Sequence, residues 1–236
     1  MSIFAISDLH LSLGCDKPMD VFGSKWSNYT ERMYRAWNSI VSDDDLVIVP
    51  GDISWAMYID DAAADFEYIH SLKGRKLLLK GNHDYWWTTT SKMNKFLSEH
   101  SFDSIEVIRN NAYLYGNTAI CGTRGWSFPS SDSDSDSKDK RIFEREKQRL
   151  VLSLEAAKAS GAEEILVAMH YPPIDKPGLR PDFLNIMKEY GVTRCIYGHL
   201  HAAAHASAPV GDYLGISLKL VSCDYLNFIP LLIKKN

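Results

Sequence analysis

The chain has 236 residues and no apolar stretch that approaches the roughly 20 residues needed to span a bilayer. A membrane-spanning helix is therefore excluded as an expectation. It also lacks any excess of positive charge. The formal net charge is −4, so there is no global basic footprint with which to neutralise a phosphate backbone, and nucleic-acid binding is not indicated. Cysteine is scarce: Cys15, Cys121, Cys195 and Cys223 lie far apart and form no C-x-x-C pair, which reads as reduced and mostly buried thiols. The opening Met1 to Asp8 has neither a basic leading segment nor a long apolar one. It reads as a first β-strand rather than a secretory signal, and a cytoplasmic protein is expected. No internal repeat is visible.

What is present is enough apolar material, 45% of residues, for one α/β domain spanning 1–236. Short apolar runs of strand length occur at Ile3 to Ile6, Leu46 to Val49, Lys76 to Leu79, Ile165 to Met169 and Arg194 to Tyr197. Such continuous runs suit strands covered on both faces. Between them, Tyr29 to Ile40, Asp60 to Leu72, Met93 to His100 and Asp182 to Tyr190 carry helical spacing, and Ile142 to Ala159 reads as a long helix. On that helix Phe143, Leu150, Leu154 and Ala157 share a face, and the charges from Glu144 to Arg149 read as a solvated one. Two regions break the alternation. Glu106 to Gly122 predicts short strands joined by turns at Asn110-Asn111 and Gly116-Asn117, and Gly215 to Ile233 predicts further strands. Two mixed sheets would accommodate both. Ser130 to Lys140 alternates serine with aspartate, has nothing apolar to bury, and reads as a mobile loop.

The chemistry sits in five polar clusters, four of them directly after an apolar run: Asp8-Leu9-His10, Gly51-Asp52, Gly81-Asn82-His83-Asp84, His170, and Gly198-His199-Leu200-His201. Five of the eight histidines fall in them. In open α/β sheets, sites form beyond the carboxyl ends of strands, so one sheet edge is expected to collect the set. In extended chain, residues i and i+2 point alike. Asp8 and His10 can then share one ion, and His199 with His201 can serve an adjacent pair. Each cluster alone is a weak signal. All five in order are not explained by packing. Carboxylates, a carboxamide and imidazoles without thiolate suit two divalent ions, with Mn, Fe or Zn ahead of Ni or Co.

This order, D-x-H, G-D, G-N-H-D, H, G-H-x-H, resembles the calcineurin-like metallophosphoesterase superfamily from Asp8 to His201, and within it a bacterial phosphohydrolase and phosphodiesterase branch. The resemblance implies a four-layer αββα sandwich of two mixed β-sheets flanked by helices. It implies one ion held by Asp8, His10, Asp52 and His201, and a second held by Asp52, Asn82, His170 and His199, with Asp52 bridging. His83 would face the substrate as a catalytic residue, and Asp84 would either orient it or be structural. The implied reaction is phosphoester cleavage by in-line attack of a metal-bridging hydroxide. A phosphodiester is the first substrate class. A phosphomonoesterase or nucleotide pyrophosphohydrolase, or a non-catalytic binding scaffold, are the alternatives. The chain departs from the family's protein phosphatases, whose G-D-x-x-D-R-G is replaced by Gly51-Asp52-Ile53-Ser54-Trp55-Ala56. Arg124 is the candidate to supply the missing phosphate clamp. Trp55, Trp86, Trp87 and Trp126 follow site motifs and read as core, rim, or an aromatic wall. His205 reads as surface or capping, and His70 and His100 have no evident role. The partner expected is a small phosphoester; the sequence does not choose an oligomeric state.

Overall fold

The computed structural model describes residues 1–129, 136–175 and 180–235. In chain order its regular elements are β1 (Ser2–Ala5), α1 (Tyr29–Ile40), β2 (Leu46–Pro50), α2 (Ala63–Ser71), β3 (Arg75–Leu79), α3 (Thr90–Glu99), β4 (Ile105–Ile108), β5 (Ala112–Tyr115), β6 (Thr118–Thr123), α4 (Asp136–Ala159), β7 (Glu164–Met169), α5 (Asp182–Glu189), β8 (Arg194–Tyr197), β9 (Gly211–Tyr213), β10 (Ile216–Leu220) and β11 (Leu231–Lys235). The α/β class and the two mixed sheets are as the sequence predicts. The chain forms two compact units, Met1–Val107 with Val221–Asn236, and Ile108–Leu220.

The first unit is built on a five-stranded sheet in the order β11-β1-β2-β3-β4. β1, β2 and β3 run parallel, and β11 closes one edge antiparallel to β1. Every residue of β2 is buried, as its unbroken apolar run requires of a central parallel strand. Its core takes Met33 and Trp37 from α1, Phe66 and Ile69 from α2, and Met93 and Phe96 from α3. These positions recur at helical spacing because one stripe of each helix must be buried.

The second unit has six strands in the order β5-β6-β7-β8-β10-β9. A parallel centre, β6 to β7 to β8 to β10, is flanked by antiparallel edges. Helix α4 lays Phe143, Leu150, Leu154 and Ala157 into its core together with Phe183, Leu184 and Met187 of α5. The helix starts before Ile142. Of the Ser130 to Lys140 stretch read as a loop, residues 136–140 are helical, and 130–135 lie outside the described residues. The turns foreseen at Asn110-Asn111 and Gly116-Asn117 are present. The second joins Tyr115 to Thr118 in the β5–β6 hairpin, and Gly116 sits at φ 58°, where a missing Cβ relieves the strain. The three strands of that stretch are divided, however, with β4 in the first sheet and β5 and β6 in the second.

One buried charge is decisive for the first unit. Lys76 on β3 is 1% exposed. Its ammonium donates to the carbonyls of Leu72 at 2.6 Å, Gly74 at 2.8 Å and His70 at 3.3 Å. It thus closes the carboxyl end of α2, where carbonyls lack intrahelical partners and a cation is favoured. Burial lowers its pKa to about 8. Lys76→Met is expected to cost about 1–3 kcal/mol at pH 7, because three carbonyls lose a donor. The folded pKa lies below the unfolded one, so between about pH 8 and 10.5 the unfolded chain holds the proton that the native state has released. Wild type therefore gains stability relative to the variant across that window. Urea unfolding of both proteins at pH 7 and pH 10 measures it, and a gap that shrinks with pH contradicts this account.

Candidate metal centre

Three clusters belong to the first unit, and each follows a parallel strand. Asp8 and His10 come after β1, Asp52 after β2, and Asn82, His83 and Asp84 after β3. The loops are stitched beyond the last ladder bonds. Asp8 N–H donates to Gly51 O at 2.9 Å, His10 N–H to Asp52 O at 3.0 Å, and Leu11 N–H to Ile53 O at 2.9 Å. Holding short loops side by side forces unusual backbone. Asp8 (φ 59°), His10 (φ 45°) and Asp52 (φ 51°) all occupy the left-handed region. Such conformations cost on the order of 1–3 kcal/mol each and concentrate at functional sites. Gly81 allows the closest approach, since a Cβ there would collide with the backbone and carboxylate of Asp52.

Asp84 holds this arrangement together. It is fully buried. One carboxylate oxygen accepts N–H groups from Gly81 at 2.7 Å and Asp52 at 3.0 Å, and the other accepts from Ile53 at 2.8 Å and Ser54 at 3.3 Å. Burial and the neighbouring Asp52 charge push its pKa up to about 6, against the pull of the amides. The carboxylate thus serves backbone donors of both loops. Asp52 Oδ1 in turn accepts His83 N–H at 2.8 Å, and Asp52 Oδ2 lies 3.8 Å from His10 Nε2. Asp65 on α2, which the sequence did not single out, acts likewise. It accepts the Ser54 hydroxyl and Leu13 N–H at 2.8 Å, and burial raises its pKa. The thiol of Cys223 donates to Asp8 O at 2.9 Å. Burial, with Asp8 and Asp224 nearby, holds that thiol well above its usual range, so it stays protonated.

Around these donors the ring of Trp55 stacks on His10 at 4.8 Å and lies 4.5 Å from His83. Lys17 caps it at 3.2 Å. Trp55 is thus a wall of this half of the site. Trp86 instead packs edge-on to Phe66 in the core, and Trp87 lies against Trp86. His70 accepts or donates to Ser104 at 2.8 Å, and His100 stacks on Phe102; both are structural.

The second unit supplies His170 directly after β7, and His199 and His201 after β8. His199 Nδ1 lies 3.3 Å from His170 Nε2. Gly198 N–H donates to His170 O at 3.1 Å, which ties the two loops. His199 also takes left-handed backbone, at φ 72°. Tyr171 packs 4.0 Å from the His199 ring. His205 follows in a short 3-10 turn, Ala202–Ser207.

Arg124 lies beside this pair, but through its main chain: its carbonyl accepts N–H groups from His170 and Tyr171 at 3.2 and 2.8 Å. Its guanidinium is held 3.4 Å from Glu146 and 4.5 Å from the Trp126 ring. A phosphate clamp there must first break that pairing. Glu146 corrects an expectation. The sequence places it on a solvated face, yet it is 1% exposed and accepts from Thr123, Arg124 and Arg149. A long helix presents more than its apolar stripe to the sheet, and an acid can be buried where cations and a hydroxyl meet it.

A model of the calcineurin-like phosphoesterase family matches residues 1–203, and the chain belongs to that family. Two solved structures share its fold. One is a protein of unknown function from Aquifex aeolicus, 16% identical, covering 98% of this chain and 94% of that one, with a TM-score of 0.52. The other is the phosphopantetheinyl hydrolase of Mycobacterium tuberculosis, 15% identical, covering 94% and 88%, with a TM-score of 0.52. At these identities the likeness is one of fold. No curated protein matches the chain. The family's divalent ions fit the residues present. The donors are buried or half-buried carboxylates and imidazoles at strand ends, the oxygen and nitrogen set that such ions take. The chain is a metal-dependent phosphoester hydrolase.

Asp84→Ala should lower stability by about 2–4 kcal/mol, because four buried amides lose their acceptor. It should also weaken metal binding by about 10–100-fold, as loss of a supporting residue does. Urea unfolding and metal content after dialysis measure both. Wild-type stability with lost turnover would make Asp84 a catalytic residue instead.

Proposed function

We propose that the protein is a dinuclear phosphodiesterase. The ligand assignment is the one the family resemblance implies: Asp8, His10, Asp52 and His201 for one ion, and Asp52, Asn82, His170 and His199 for the other. Donors paired within each unit support this, His10 with Asp52 in the first and His170 with His199 in the second. When bound, the ions supply Lewis acidity toward the phosphoryl oxygens and a nucleophile at neutral pH.

The residues of the chain do the rest. Asp84 and Asp65 fix the loops, so that Asp52 and His83 are placed before substrate arrives. His83, tied by its N–H to Asp52 Oδ1, delivers a proton to the leaving oxygen. Trp55 packs against both rings, stacked on His10 and tilted to His83. The Cys223 thiol orients the Asp8 peptide.

The preference for a diester rests on one observation, that the Arg124 guanidinium is engaged by Glu146 and Trp126. A monoester dianion demands more compensating charge than a diester monoanion, and this arginine is not poised to give it.

The test is hydrolysis of bis-p-nitrophenyl phosphate against p-nitrophenyl phosphate by apo protein reloaded with Mn²⁺, with Asp52→Asn and His83→Ala beside wild type. Diester cleavage is expected to dominate and to vanish in Asp52→Asn. His83→Ala should keep its metal while kcat falls by about 10²–10⁴-fold. Monoester preference overturns the diester reading, and a fully active His83→Ala removes the proton-donor role.

A further inference from the structure

The second unit holds a cleft that metal-dependent hydrolysis by itself leaves without a role. Its volume is about 340 Å³, within the range of small-molecule sites. Trp126, Phe128, Tyr171, Ile174 and Leu200 line it, and His199 is part of its wall. The Tyr171 ring lies 4.0 Å from that of His199 and 5.5 Å from that of Trp126. The cleft therefore runs from a proposed metal ligand along aromatic surface.

Its charge is as informative as its shape. Among the described residues no lysine or arginine lines it, and its one carboxylate is that of Asp175. Two guanidinium groups flank it and both are engaged: Arg124 covers Trp126 and pairs with Glu146, and Arg180 lies 6.0 Å from the Phe128 ring and donates to Pro129 O. A second phosphate or a carboxylate entering here would shed water and meet a like charge, which is costly. A flat uncharged ring would instead displace water from aromatic walls at favourable cost and with preferred ring geometry. Trp126 is held for this by its indole N–H, which donates to Asp139 at 3.2 Å.

We propose that this cleft receives an uncharged aromatic ester group of the substrate, so that the enzyme selects aryl-type phosphodiesters over small alkyl diesters and over polyphosphates. The inference rests on the reading of His199 as a metal ligand.

Calorimetric titration of the Mn²⁺-reloaded protein with diphenyl phosphate and dimethyl phosphate tests it. Wild type should bind the diphenyl ester at least about tenfold more tightly, the modest yield of burying one ring. Trp126→Ala removes a wall. Ser207→Phe fills the cleft from an exposed position and leaves every core side chain in place. Both variants should bring the diphenyl ester down to the affinity of the dimethyl ester and leave the latter unchanged. Equal affinities in wild type, or an advantage that survives both variants, overturn the proposal. Each protein is titrated in a His83→Ala background, so that the heats read binding and not turnover. Ring selectivity without diester hydrolysis would sink the phosphodiesterase reading and keep the cleft, and hydrolysis without ring selectivity would do the reverse.

Discussion

The first half of the site depends on one carboxylate that need not touch substrate. Asp84 gathers the N–H groups of Gly81 and of the run Asp52 to Ser54, and so locks the loop after β2 to the loop after β3. Everything those loops present follows from that lock, including the Asp52 carboxylate, the Asn82 amide and the His83 ring. The chemistry suits the task. Two oxygens with four lone-pair sites can satisfy four amides at once, which no neutral side chain of that size can do. The cost is a charge buried beside a second charge. The amides offset it in part, but burial and Asp52 still hold Asp84 well above the ordinary carboxylate range.

Order in these loops also has a conformational cost. Asp8, His10, Asp52 and His199, one proposed ligand after another, sit in left-handed backbone without being glycine. Aspartate and histidine tolerate that region better than branched or bulky residues, so the donor types and the local strain are compatible. The strain persists because neighbouring structure over-determines it. Asp8 is held by Gly51 O and by the Cys223 thiol, and His10 by Asp52 O and the Tyr29 hydroxyl, which donates to His10 O. A frame that tolerates such cost is one built to present donors in fixed positions.

Most of the fold was legible, because parallel strands buried on both faces leave unbroken apolar runs. The run Leu46 to Val49 and the run Arg194 to Tyr197 are strands within a residue of where pattern puts them. The proposed site residues stand out in the sequence for a related reason. Asn82, His83, His170 and His199 follow such runs where packing has no use for them. What escaped the sequence is what depends on partners distant in the chain. Asp65 looks like any acid on an amphipathic helix until Ser54 and Leu13 are brought to it. Glu146 sits among charges that seem to form a wet face, and only the approach of Thr123 and Arg124 shows that it is buried. The division of Glu106 to Gly122 between two sheets is likewise invisible locally, because a strand's own pattern does not say which neighbour it joins.

The buried charges share a role, and it bears on specificity. Each holds the frame. Asp84 and Asp65 hold loops, Lys76 closes a helix, and Glu146 fixes Arg124. The side chains that remain around the donors are then largely uncharged and aromatic: Trp55 beside His10 and His83 in one unit, Tyr171 beside His199 in the other. A site whose own charges are committed to structure has few left for recognising additional charge on a ligand. On the proposed reading, the ions recognise the phosphoryl group, and ring surface recognises whatever is esterified to it. The same commitment of Arg124 that argues against a dianionic monoester leaves Trp126 covered on one side by a fixed cation, so that the indole is oriented before any ring arrives.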